Sequence, residues 1–221
     1  MLEAVFNPEN AVFCLINRIL DLILLSLIWA LCCIPVLTIG AASSALYHAV
    51  VKAVRYQRSY PLREFWKSFR LNLKKGILIQ IIWMVPAALM LAGDAPLFFV
   101  LLAGGEVQDK VFLVFSVLKL LILVGMLCWI YPLLSRFEES VLRLAEAALY
   151  LILRYFPITL LSVFLLLGAA LLLAWEPLLV AVIPGPAALL LSILLEPPLR
   201  KMVRYEEMPG EDSDAWYMGK R

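Results

Sequence analysis

Long apolar segments with few charges dominate this sequence and restrict the folds that it can adopt. A membrane-crossing helix needs about 20 mainly apolar residues to cross a hydrocarbon core of about 30 Å. Hydrophobic residues make up 64% of the chain and charged residues only 16%, so too little polar sequence remains to cover such segments in water. The sequence predicts an all-α, polytopic membrane helical bundle. The six candidate spans lie at about 11–34, 38–56, 77–93, 111–134, 155–175 and 177–195.

The number of spans depends on the segment from Pro35 to Gly40, which follows the first apolar stretch. Proline lacks a backbone donor and disfavours a helical residue before it, so we expect the helix to break here. If Pro35, Thr38 and Gly40 form the turn of a hairpin, the chain has six transmembrane helices. If the following helix is re-entrant or interfacial, the chain has five. The small residues after Gly40 allow two backbones to approach closely, which favours six.

The positions of lysine and arginine predict the orientation. The connection 51–76 holds eight basic residues and one acid, Glu64, and loops of this kind stay in the cytoplasm. The connection 93–110 is mainly acidic and is expected outside. Basic residues return at 135–154 and in the tail 199–221, so we expect a cytoplasmic C-terminus after one membrane domain at 1–198. Six spans place the N-terminus inside, and five place it outside.

Residues 61–75 are predicted to form an amphipathic helix along the inner leaflet. Pro61 suits the first position of a helix, and apolar residues recur on one face with basic residues on the other. Such a helix places its aromatic face at the headgroup boundary and its cations near anionic lipids. Nucleic-acid binding is not expected, because that face predicts immersion in lipid and no base-reading module is present. The apolar residues are Leu62, Phe65, Trp66, Phe69 and Leu73.

Four ionisable residues inside the apolar segments are candidate intramembrane polar sites: Arg18, Asp21, His48 and Lys119. Charges in the bilayer centre are costly and often functional. Arg18 and Asp21 lie one helical turn apart, so they fit either a structural ion pair or a polar site. Lys119 has no acid one turn away on its own helix, so it either extends to the membrane surface or pairs with another helix. A lone histidine such as His48 is more often hydrogen bonded than proton-responsive.

No catalytic or metal-binding pattern occurs in the sequence. Four cysteines lie in apolar runs without CxxC spacing, and there is one histidine, so neither a zinc site nor another cofactor is expected. The HExxH, GxSxG and P-loop motifs are missing, and we do not expect an enzyme. The N-terminal segment lacks the positive region of a signal peptide, so the first apolar stretch is expected to be retained.

Several short motifs are distributed from Phe6 to about Pro198, and together they resemble the YesL family of small bacterial integral membrane proteins, a domain of unknown function. Two features depart from that pattern: His48 stands where the family often has a second aromatic residue, and the acidic tail 206–214 is particular to this chain. The matching stretches are Phe6-Asn7-Pro8, Asn17-Arg18, Asp21-Leu22, Leu31 to Ala41, Ala45-Leu46-Tyr47, Phe65 to Gly76, Tyr131 to Glu138 and Pro157 to Leu160.

The resemblance implies a multi-pass protein of the bacterial cytoplasmic membrane, frequently encoded near carbohydrate ABC importers and sensor kinases, with no known catalytic residue. The leading hypothesis is therefore an accessory or regulatory component linked to carbohydrate ABC import or its signalling. Importer or sensor kinase subunits are the expected partners. The alternative is a small secondary transporter that acts alone or as a homo-oligomer. Matched positions on the inner side form a candidate cytoplasmic interaction surface: Phe65, Trp66, Phe69, Arg70, Asn72, Arg136, Phe137 and Glu138.

Overall fold

The computed structural model describes residues 11–56, 59–102 and 107–203. Within these ranges the chain forms α-helices and helical turns and has no β-strand, which confirms the all-α prediction. Val36–Thr38 and Pro177–Ala181 are 3-10 turns, and a π-helical turn, Val50–Arg55, continues the second helix. The helices are α1 (Ala11–Cys32), α2 (Ile39–Ala49), α3 (Pro61–Leu102), α4 (Val107–Leu134), α5 (Val141–Arg154), α6 (Phe156–Trp175) and α7 (Pro184–Val203).

Several helical segments are long and apolar enough to cross a membrane, as expected for a membrane helical bundle. The sixth predicted span, 177–195, is not among them. There the chain forms a 3-10 turn and then α7, whose second half carries Glu196, Arg200 and Lys201. The number of crossings therefore stays a prediction. The five qualifying segments in the described part of the chain are Leu15–Cys32, Val36–Arg55, Pro61–Asp94, Val114–Leu134 and Phe156–Trp175.

Residues 61–75 are helical, as predicted, but this segment and the third span form one continuous helix. α3 runs over 42 residues from Pro61 to Leu102. At 1.5 Å per residue a straight helix of this length measures about 63 Å, roughly twice the hydrocarbon core of a bilayer. α3 therefore extends beyond the membrane. The predicted boundary at Gly76 does not end the helix, since one glycine inside a helix costs only about 1 kcal/mol.

Gly76 is also the point at which α3 meets α2. A Cβ atom on Gly40 would lie 2.6 Å from the Gly76 carbonyl oxygen, and one on Gly76 would lie 2.6 Å from the Ala41 backbone nitrogen. Only residues without a side chain allow such close approach. Ala41, Ala42 and Ala45, all buried, follow Gly40 on α2. The small residues therefore pack two backbones together, as the sequence predicts, but the partner is α3.

This contact bears on the topology. The six-span interpretation puts the turn at Pro35 outside and the basic segment before Gly76 inside, yet Gly40 and Gly76 touch. Further along α2, His48 lies 3.4 Å from Glu64 of the same basic segment. α2 therefore lies beside the basic segment rather than on the opposite side of the membrane. The contacts favour a re-entrant or interfacial helix after Pro35 over a hairpin, and they leave the number of crossings a prediction.

Two buried apolar clusters form the core. The first joins α1, α2, α3 and α7 and contains Leu25 and Phe65, both fully buried. The second joins α4, α5 and α6 to parts of α2, α3 and α7, and surrounds Trp129. The indole N–H of Trp129 donates to the Thr159 hydroxyl at 2.9 Å, so this buried polar group has a partner. α2, α3 and α7 contribute residues to both clusters and hold the two parts together.

Gly76→Ala is expected to destabilise the fold by about 1–3 kcal/mol, the usual cost of overpacking. The added methyl would meet the backbone of Ala41. Equilibrium unfolding in detergent micelles measures the change. Gly93→Ala on the same helix is the control, since a Cβ there meets nothing within 4 Å, and alanine should stabilise the helix by about 0.5–1 kcal/mol. Equal effects of the two substitutions would contradict the proposed role of the contact.

The favoured topology predicts that a cysteine at Val36, which is 53% exposed, is accessible from the cytoplasm. The measurement is labelling with a membrane-impermeant maleimide, in intact cells and in inverted vesicles, with the four native cysteines replaced. Val36→Cys should behave like Tyr60→Cys in the basic connection and unlike Leu178→Cys in the turn after α6. Both control positions are well exposed, at 79% and 80%. Labelling in intact cells would support the hairpin instead.

Candidate functional site

A buried acid joins α2 to the start of α3. Glu64 lies in the first turn of α3, and its Oε2 atom is 3.1 Å from the Lys52 Nζ atom and 3.4 Å from the His48 Nε2 atom. The Ser59 hydroxyl donates to the other carboxylate oxygen at 2.7 Å. The Lys52 and Glu64 side chains are only 7% and 6% exposed. We call His48, Lys52, Ser59 and Glu64 the Glu64 cluster; it provides the buried carboxylate with partners on both oxygens.

A second buried acid joins α2, the end of α4 and α7. The Arg136 guanidinium contacts Glu196 Oε1, and both side chains are 1% exposed. The Tyr47 hydroxyl donates to the same oxygen at 3.3 Å, and Arg200 Nε lies 3.4 Å from the other oxygen. We call Tyr47, Arg136, Glu196 and Arg200 the Glu196 cluster.

The two clusters are adjacent, because Tyr47 of one and His48 of the other are neighbours on α2. A crevice between them is lined by both residues, Lys52 and Arg136, and it leaves no room for a water molecule. Together the clusters, which we call the two-carboxylate site, contain two carboxylates, Lys52, two arginines and a histidine. This arrangement orients helices through paired charges, and it offers no open volume for a substrate.

The other candidate polar residues lie elsewhere. Arg18 is exposed and Asp21 is half-buried on α1, and the ion pair predicted between them stays a prediction. Lys119 has a partner on another helix, one of its two expected outcomes: its Nζ atom lies 2.8 Å from Asp94 Oδ1 of α3. The Lys119 side chain is 52% exposed, so this pair lies on the surface of the bundle.

The predicted interaction surface is divided by the fold. Phe65 and Arg136 are buried, so neither side chain can contact a partner, and the prediction was wrong for both. Phe65 is covered because α1, α2 and α7 pack over it; the apolar pattern alone does not distinguish protein from lipid as the covering medium. Trp66, Arg70 and Glu138 are exposed, and Phe69, Asn72 and Phe137 are half-buried.

The predicted turn is closed by Thr38. Its hydroxyl lies within hydrogen-bond distance of the carbonyl oxygens of Cys32, at 2.5 Å, and Pro35, at 2.7 Å. Cys32 and Cys33 flank this turn as free thiols. Within the described ranges, no group of three or more metal-ligating side chains occurs.

Sequence reasoning missed the two carboxylates on which the site is built. A signal was present for each: Glu64 is the only acid in a strongly basic stretch, and Glu196 follows the last apolar segment directly before two prolines. Neither signal identifies the partner. Arg136 and Glu196 are 60 positions apart, and only the tertiary fold brings them together.

Glu196→Gln should lower the free energy of unfolding by about 3–5 kcal/mol, because it leaves the Arg136 charge buried and uncompensated. The matched control is Glu139→Gln, which removes an exposed i,i+4 pair with Arg143 and should cost about 0.5 kcal/mol or less. Equilibrium unfolding in detergent compares them. Replacing both Arg136 and Glu196 by methionine should cost less than the single change. Equal effects of Glu196→Gln and Glu139→Gln would contradict the buried pair.

Comparison with known proteins locates the family signal in the first part of this fold. Residues 22–93 match the model of a family described as "Protein of unknown function, DUF624". The matched region runs from α1 through the Pro35 turn and α2 into α3, and it includes the Gly40–Gly76 contact and the Glu64 cluster. No curated protein and no solved structure matches the chain. The YesL family is a DUF624 family, so the resemblance is confirmed: this chain carries a DUF624 region at residues 22–93.

Proposed function

We propose that this membrane protein is an accessory or regulatory component that binds a partner through the exposed face of the first third of α3. The observation that carries this proposal is the combination of cations and large apolar side chains on that face. Trp66 is 44% exposed and Leu71 is 66% exposed. They lie among the exposed bases Arg63, Lys67, Arg70 and Lys74. We call these six residues the basic face of α3.

The opposite side of the same segment is fixed in the protein. Phe65 is fully buried and stacks on Phe69, with ring centroids 6.0 Å apart. Glu64 is held by the two basic side chains from α2. The basic face is therefore presented on a rigid helix, which reduces the entropic cost of binding. Tryptophan and arginine are also the residues most often found at the centres of protein interfaces.

The link to carbohydrate import or its signalling rests on the resemblance to the YesL family and not on the geometry. That resemblance implies ABC importer or sensor kinase subunits as partners. A surface of cations and one exposed tryptophan suits an acidic surface on the cytoplasmic part of such a subunit, because opposite charges favour and orient encounter.

The alternative, a small secondary transporter, receives less support. Transporters typically bind their substrate at a polar site near the bilayer midplane, between broken helices. Here Lys119 pairs with Asp94 at an exposed position, and the crevice at the two-carboxylate site does not admit water. These polar residues are explained by structural pairing, so no specific observation favours transport.

The test is the double variant Trp66→Ala with Arg70→Ala, in tagged protein recovered after crosslinking in cells. Both side chains are exposed, so folding should be preserved while partner recovery falls about 30-fold, as for loss of a hot spot worth about 2 kcal/mol. Trp175→Ala with Arg143→Ala is the matched control, since both of its side chains are also exposed. Unchanged recovery of importer or kinase subunits, or recovery of the protein alone, would overturn the proposal.

A further inference from the structure

An apolar groove of about 360 Å³ lies between α3 and α4. Ile79, Trp83 and Met90 of α3 form one wall, Ile122 and Met126 of α4 form the other, and α5 closes one end. The indole N–H of Trp83 donates to the Leu123 carbonyl oxygen at 3.1 Å. The polar atom of this tryptophan is therefore satisfied, and the ring contributes apolar surface to the groove.

We propose that this groove binds one acyl chain of an anionic phospholipid, with the lipid phosphate bound by Lys119. This site is separate from the basic face of α3, and the proposal does not depend on the proposed function.

The shape and chemistry of the groove fit a single acyl chain. Water is unsuited to this space, since a buried water needs two or more polar partners, and the lining is almost entirely apolar. From Lys119 to Ile130, the residues of α4 that line the groove extend over about 16 Å, roughly half of the hydrocarbon core. This length matches a chain from one leaflet.

The cation at one end of the groove selects the headgroup. Lys119 lines the groove and is 52% exposed, whereas its partner Asp94 is 21% exposed. A lysine ammonium has three donors, so the bond to Asp94 leaves others for a phosphate oxygen. The lysine stem follows the apolar wall while the charged end extends toward the membrane surface. The more exposed member of the pair is thus the cation, which favours an anionic lipid.

Quenching of Trp83 fluorescence by brominated acyl chains tests the proposal. The protein, with its other tryptophans replaced by phenylalanine, is reconstituted in vesicles of phosphatidylglycerol and phosphatidylethanolamine. In one sample the acyl chains of phosphatidylglycerol are brominated, and in a second sample those of phosphatidylethanolamine. Brominated phosphatidylglycerol should quench Trp83 more strongly than brominated phosphatidylethanolamine at the same mole fraction. A variant that retains only Trp175, which is 88% exposed, should be quenched equally by both lipids and serves as the control for bulk contact.

Two substitutions distinguish the cation from the ion pair. Lys119→Met should reduce the preference for phosphatidylglycerol about fivefold, the contribution of one lysine near an anionic surface. Asp94→Asn also breaks the pair but keeps the cation, so the preference should persist or increase. Equal quenching by both lipids, a preference for phosphatidylethanolamine, or a preference unchanged by Lys119→Met would overturn the proposal.

Trp129 is fully buried, so the protein with a single tryptophan could fail to fold. In that case the unmodified chain is compared with Lys119→Met by electron spin resonance of spin-labelled phosphatidylglycerol. The immobilised fraction of the labelled lipid should be larger for the unmodified chain. Equal immobilised fractions would overturn the proposal. The absence of an immobilised fraction with either protein would also overturn it and would indicate that a second copy of the chain covers the groove.

Discussion

The close contact between Gly40 and Gly76 sets the position of the other functional features. It fixes how near α2 lies to α3, with less than a side chain between the backbones. At this separation the short reach of His48 is enough to meet Glu64. The preceding residue, Tyr47, then points to Glu196 on α7. A wider spacing would take His48 and Lys52 out of reach of Glu64 and leave a buried carboxylate without its basic partners, at a cost of several kcal/mol.

The two buried carboxylates specify the register of the helices, which ordinary apolar core residues do not. Apolar contacts are non-directional, so a helix lined with alanine can slide or rotate against its neighbours at little cost. A buried ion pair tolerates no such shift, because each displaced charge would lose its partner. α2 carries a hydrogen-bond or ionic partner for both carboxylates. Paired charges therefore fix the register of α2 against α3 and α7. The small size of Gly40 and Gly76 sets its distance from α3.

The sequence was sufficient to predict the apolar helices, because their periodicity and length depend on local residues. It was insufficient where the surroundings of a residue depend on a neighbour that is distant in the chain. Gly76 resembles a helix boundary until α2 is placed against it, and the aromatic face at Phe65 resembles a lipid-facing stripe until α1 covers it. Arg136 is a further case. Its position in the sequence predicts a residue at the membrane interface, whereas its pairing with Glu196 buries it. Motif resemblance anticipated the match to the DUF624 model at residues 22–93, because a motif depends only on the order of residues.

The uninterrupted course of α3 through Gly76 has a mechanical consequence. This helix of 42 residues has no loop between its halves, but Pro86 lies between the glycine contact and Asp94. The segment before this contact is anchored by the buried Phe65 and Glu64 side chains. A tilt of the segment that carries Asp94 would therefore be taken up at Pro86, where one backbone hydrogen bond of the helix is missing, before it reached Trp66 and Arg70.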